Sequence, residues 1–204
     1  MNKFGLIIVI TCMYFGLTAQ IQMPVYNVTS YRSAQGGTEI GNVIDGDKST
    51  IYHSRWNING IPDTLTFYFN SLVPEINSLQ YVPRQEGGNN GMWEKVDFLV
   101  ATQANPTLYK KLNTSPLEWA VNNDVKIWNL PDAIENPYAI KIAVLQAVSN
   151  YSSCAEMNFY GSKQIRPDGS NDCTLDLKGL EIVKDIKVQI SKDGSYASSY
   201  QPGE

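Results

Sequence analysis

Six short segments, TLTFYF (64–69), SLQYVP (78–83), KVDFLVAT (95–102), VKIWNL (125–130), YAIKIAVL (138–145) and EMNFYG (156–161), alternate or run apolar over strand lengths. No stretch keeps a 3.6-residue period with caps over three turns, and Pro, Asn59-Gly60 and Asn90-Gly91 punctuate the gaps. Two half-buried sheets must cover each other, so the pattern predicts an all-β, antiparallel jelly-roll β-sandwich. Long loops carried at one end of such a sandwich are where function is to be sought.

Residues 1–19 read as a signal peptide: Lys3, an apolar run from Phe4 to Phe15, then small residues to Ala19. The run is too short for a spanning helix, which needs about 20 apolar residues. Val9-Ile10-Thr11 makes Cys12 a poor lipidation site, and Ala19/Gln20 is the more natural cut. Export to a secreted, periplasmic or cell-surface location is therefore expected, with no transmembrane segment. The chain has 16 Lys and Arg against 20 Asp and Glu, and loses Lys3 with the leader, so no basic stripe is available for nucleic acid. Cys154 and Cys173 would remain, either paired or with Cys154 as a small buried side chain.

The strand pattern completes near Gly161, giving one module over 20–162. A polar linker is expected over 163–187. Residues 188–204 then carry an echo of the module's start: with Glu204 laid on Glu39, Ser195 meets Ser30, Tyr196 meets Tyr31 and Ser198 meets Ser33. They read as the start of a second, truncated copy, or as a polar tail with chance similarity.

Chemistry concentrates in VIDGDKSTIYHSRW, Val43–Trp56, which holds Asp45, Asp47, Thr50 and the single histidine, His53. Two carboxylates and a hydroxyl around Gly46 suit a hard cation that takes oxygen ligands, although Asp-Gly-Asp is also an ordinary solvated turn. Sugar recognition needs directional hydrogen bonds plus a ring against the C–H face. His53, Arg84 and Asn90 supply donors and acceptors, and Trp56 or Tyr151 the ring. Against this, His53 can be structural, Arg84 can pair with Glu86, Trp56 or Trp93 can be core, and Asn89 competes with Asn90.

Three motifs, NVIDGDKSTIYHSRW (42–56), YVPRQEGGNNG (81–91) and NYSSCAEMNFYG (150–161), resemble the coagulation factor 5/8 type C (discoidin) fold, specifically carbohydrate-binding module family 32. The resemblance spans nearly all of 26–161. It implies a structural calcium held by the side chains of Asp45, Thr50 and Glu156 and by carbonyls near Asn42, Asp47 and Ala155. It also implies a galactose-type site in which His53, Arg84 and Asn90 hold the axial O4 and its neighbours, beside Trp56 and Tyr151. Tyr151 departs from the phenylalanine usual in the family.

The expected function is non-catalytic binding of terminal galactose or N-acetylgalactosamine on host or dietary glycans. Alternatives are an accessory domain of a larger secreted glycoside hydrolase or glycoprotein-directed peptidase, or a protein or cell-surface adhesion module. One histidine excludes an H-E-x-x-H zinc helix, and no G-x-S-x-G elbow surrounds His53. A glycosidase pair drawn from Glu86, Glu94 and Asp97 stays open on sequence.

Overall fold

The computed structural model describes residues 20–165, together with the backbone of 191–192 and 195–196. The segments expected to be a signal peptide and a linker, and most of the expected second module, lie outside the described residues, as does Cys173. In the first unit the strands are β1 (Ile21–Gln22), β2 (Asn27–Ser30), β3 (Tyr52–His53), β4 (Asp63–Tyr68), β5 (Glu75–Val82), β6 (Trp93–Thr102), β7 (Asn105–Lys111), β8 (Leu117–Glu118), β9 (Lys126–Glu135), β10 (Pro137–Ala147), β11 (Ser153–Cys154) and β12 (Glu156–Gly161). In the second unit β13 (Ser191–Lys192) and β14 (Ser195–Tyr196) form a two-stranded antiparallel pair.

One sheet runs β1-β12-β5-β9 and the other β2-β4-β10-β6-β7, with β8 on β6. All the registered pairs are antiparallel. Each of the six segments read from the sequence lies on one of the long strands, because alternation buries one side chain in two against the opposite sheet. Leu65 and Phe67 of β4, Phe98 and Val100 of β6, and Met157 and Phe159 of β12 are buried. The sheets meet through Phe67 on Phe159 at 5.1 Å and Phe98 on Trp128 at 4.7 Å between ring centres. Trp93 belongs to this core at 1% exposure, stacked at 4.3 Å on Tyr81 with its indole N–H donated to Ser152 Oγ.

At one end, β3 pairs with β11, bringing His53 opposite Ser153 and Tyr52 opposite Cys154. This two-strand clip joins the first loop of the sandwich to the segment that leads into β12, although they are about a hundred residues apart in sequence. Cys154 is a buried free thiol, pushed well above its ordinary pKa by burial. Tyr52 and Asp63 anchor the clip from below: the Tyr52 hydroxyl donates to Asp63 Oδ2 at 2.8 Å, and the amides of Arg32 and Thr64 donate to Asp63 Oδ1. At the other end of the chain path, Glu75 receives hydrogen bonds from the Ser162 hydroxyl and the amides of Ser162 and Lys163.

Candidate carbohydrate-binding site

His53, Arg84, Asn90, Trp56 and Tyr151 come from three loops and gather around the β3–β11 clip. His53 is only 2% exposed, and its Nδ1 lies 2.6 Å from the carbonyl of Ser54. A carbonyl can only accept, so the ring proton sits on Nδ1 and Nε2 presents a lone pair. The Asn90 carboxamide donates Nδ2 to that lone pair at 3.3 Å, which leaves Asn90 Oδ1 buried without a hydrogen-bond partner. Burial, with help from the positive charge of Arg84, lowers the His53 pKa and keeps the ring neutral.

The Asn90 backbone is held on two sides, its carbonyl accepting from Arg84 Nη1 at 3.2 Å and from Ser153 Oγ at 3.1 Å. Arg84 also donates Nε to the carbonyl of Glu86 at 3.0 Å. Its contact in the 85–90 loop is thus to backbone rather than to the Glu86 carboxylate, and its remaining N–H groups stay available. The loop depends on two glycines. Arg84 Nη2 lies 2.7 Å from where a Cβ on Gly87 would stand, and at Gly91, with φ +81°, a Cβ would meet Ser153 Oγ, Cβ and backbone nitrogen at 2.8–3.0 Å.

Two rings flank the imidazole: Tyr151 at 5.3 Å and Trp56 at 6.2 Å between centres, the latter nearly perpendicular to it. Trp56 is 54% exposed, in contrast to Trp93, so it is the tryptophan with a free face at this end. Ser149 and Asn150 both take left-handed backbone (φ 59° and 58°) immediately before Tyr151, and Asn57 does so (φ 63°) immediately after Trp56. Such conformations cost about 1–3 kcal/mol each outside glycine and concentrate at functional loops. The Tyr151 hydroxyl accepts the Asn57 amide at 3.3 Å and so ties the two ring-bearing loops together. Sequence reading did not find that role, because it depends on the local turn at Asn57.

The second cluster lies beside a groove that includes Asp45, Gly46 and Glu156. Thr50 Oγ1 donates to Asp45 Oδ2 at 2.7 Å and is 2.9 Å from the Asp47 carbonyl, while Gly46 N donates to Glu156 Oε1 at 2.8 Å. The Asp47 carboxylate is turned instead to Ser49, accepting from its amide and hydroxyl. Asn42 places its carboxamide on the Ile51 carbonyl, and the Ala155 amide donates to Val82. Burial, then the neighbouring Asp45 carboxyl, pushes Glu156 up to about 7. Two facing carboxylates, a hydroxyl and nearby carbonyls are oxygen donors that could hold a hard cation such as Ca²⁺, whose charge would relieve that repulsion. All of these donors are oxygens, so the set does not suit a softer metal that wants nitrogen or sulfur.

No family model matches the sequence. Among solved structures, the chain is similar to the family 32 carbohydrate-binding module of Clostridium perfringens NanJ in complex with galactose: TM-score 0.60 at 24% identity, over 70% of this chain and 100% of that one. A second family 32 module from Clostridium perfringens, in complex with GalNAc-β-1,3-galactose, gives TM-score 0.58 at 25% identity, over 66% of this chain and 94% of that one. Among curated proteins, the A type blood N-acetyl-α-D-galactosamine deacetylase of Flavonifractor plautii is 27% identical over 150 residues, 71% of this chain. The chain spans only between 9% and 18% of the length of the curated relatives it matches. The described domain has the discoidin-like β-sandwich fold of carbohydrate-binding module family 32.

Proposed function

We propose that the domain is a non-catalytic carbohydrate-binding module of an exported protein, binding terminal galactose or N-acetylgalactosamine on host or dietary glycans. The observation that carries this reading is the pairing of a neutral His53 with an Asn90 whose Oδ1 is buried and unpartnered, next to the open N–H groups of Arg84. A buried acceptor without a donor costs roughly 1–3 kcal/mol, and a sugar hydroxyl would remove that cost. A hydroxyl that displaces Asn90 Nδ2 from His53 Nε2, donating to that lone pair while accepting from Arg84, matches an axial O4, and the carboxamide of Asn90 so released would bond the adjacent hydroxyl. The exposed face of Trp56 and the ring of Tyr151, both beside His53, would cover the apolar side of the sugar. The galactose and N-acetylgalactosamine ligands of the two solved neighbours agree with this assignment.

Calcium at Asp45, Thr50 and Glu156 is part of the proposal, with a structural role. It would fasten the first loop to β12 and thereby hold His53 in register, leaving no chemistry to the ion. Any catalysis, in a glycoside hydrolase or a glycoprotein-directed peptidase, would belong to other parts of a larger protein. A single terminal sugar offers little contact area, so tandem copies would add avidity. The test is retention on immobilised mucin: elution by free galactose and not by glucose is expected, and retention indifferent to galactose would favour a protein or cell-surface adhesion role instead.

A further inference from the structure

Arg84 faces two places. Its charge reaches His53 on one side, and it also lines a separate cleft of about 280 Å³ with Lys48, Ser49, Ile51, Glu86 and Gly87 that includes neither His53 nor Asn90. Lys48 makes no hydrogen bond or ion pair among the described residues. Arg84 bonds only backbone carbonyls, and the ion pairs of the described domain all lie elsewhere, on Lys95, Lys111 and Lys163. Glu86 lines the same cleft without closing an ion pair to either cation. Two cations without an ion pair, against the one carboxylate of Glu86, therefore share one concavity next to the sugar site, in a chain whose net charge is −4.

We propose that this cleft is a second subsite, which accepts an anionic substituent, a sulfate ester or a carboxylate, carried by the terminal sugar or by the residue linked to it. The inference rests on the galactose reading given above and narrows it to acidic glycans. The guanidinium of Arg84 is the shared element: the three N–H groups not given to the carbonyls of Glu86 and Asn90 hold a hydroxyl of the terminal sugar and the anion. Lys48 supplies the second charge. The Glu86 carboxylate opposes the anion and sets a ceiling on the gain.

The experiment compares galactose, a galactose sulfate and a galactosyl-glucuronic acid by calorimetry on the protein and on its Lys48→Ala and Glu86→Gln variants. Expected is a gain of roughly 3–10-fold for one acidic ligand over plain galactose, the scale of one or two exposed ion pairs, shrinking with added salt. Lys48→Ala should abolish that gain and leave galactose binding intact, whereas Glu86→Gln should enlarge it. Which acidic ligand gains distinguishes sulfate from carboxylate. Equal affinity for plain and both acidic sugars, or a gain untouched by Lys48→Ala, overturns the second subsite while leaving the galactose site standing. Absence of galactose binding in the folded protein overturns the primary site and the inference with it.

Discussion

Asn90 Nδ2 meets His53 Nε2 at 3.3 Å across 37 residues of sequence, and the other end of the same carboxamide, Oδ1, is buried without a partner. The direction of that contact follows from the Nδ1 proton held on the Ser54 carbonyl. Replacing Asn90 by Asp would put a carboxylate against a lone pair. Asn90→Asp and Asn90→Ala should each weaken galactose binding by about 10-fold or more, the cost of one lost hydrogen bond with a hydroxyl left unpaired. The thermal melt of Asn90→Ala should move little, because that variant also removes the orphaned oxygen, whereas Asn90→Asp should melt lower for its buried carboxylate.

Trp56 is expected to report binding directly. Being half exposed while Trp93 is core, it should shift its fluorescence to the blue when galactose covers it, and Trp56→Ala should abolish both the shift and most of the affinity. A spectral shift that persists in Trp56→Ala would mean that a different tryptophan senses the sugar.

Gly91 is the point of the binding loop where a side chain would meet backbone. Gly91→Ala has to adopt φ +81° and place a methyl against the backbone nitrogen of Ser153, so destabilisation of roughly 1–3 kcal/mol is expected in urea unfolding. Loss of sugar affinity should accompany it, since the adjacent Asn90 carbonyl shares the Ser153 contact.

Glu75 gives the fold an acid limit. Hydrogen bonds from the Ser162 hydroxyl, working against burial, and then from the Ser162 amide and Lys163 hold its carboxyl down to about 2 from an ordinary 4.5. A carboxyl whose folded pKa is depressed binds more protons when unfolded, so its stabilisation is present above the ordinary value and is lost as pH falls from about 4.5 through about 2. Urea midpoints measured between those limits should fall for the natural chain and fall less steeply for Glu75→Gln.

Calcium should raise the melting temperature. At a hundredfold excess over Kd a ligand adds about 2.7 kcal/mol, which for a domain of this size corresponds to roughly 5–10 °C. Asp45→Asn and Glu156→Gln should each remove most of that shift, with chelator and added Ca²⁺ as the paired measurements. A melt indifferent to calcium in the natural chain would contradict the role given to the ion.

What sequence made legible follows from burial. β4, β5, β6, β9, β10 and β12 all carry an inward face and so show alternating or apolar runs, whereas β7, Asn105–Lys111, is an edge strand with almost every side chain in water and has no pattern to read. β3 and β11 are two residues each, too short for any period, yet they position His53. The site residues were visible as motifs, and the family resemblance supplied their grouping. Sequence left open whether Trp56 is a sugar-facing ring or core, and its exposure, against Trp93 stacked on Tyr81 inside the sandwich, decides it. The contact of the Tyr151 hydroxyl with the Asn57 amide and the cleft at Lys48 had no sequence signal, since both depend on how separate loops fold back on each other.

The most direct test of the central proposal is calorimetric titration of the calcium-loaded protein with galactose and N-acetylgalactosamine, beside His53→Ala and Arg84→Ala. The expected result is binding in the millimolar to high-micromolar range that disappears in both variants while their melting curves stay cooperative. No heat from either sugar in the folded, calcium-loaded protein would contradict it.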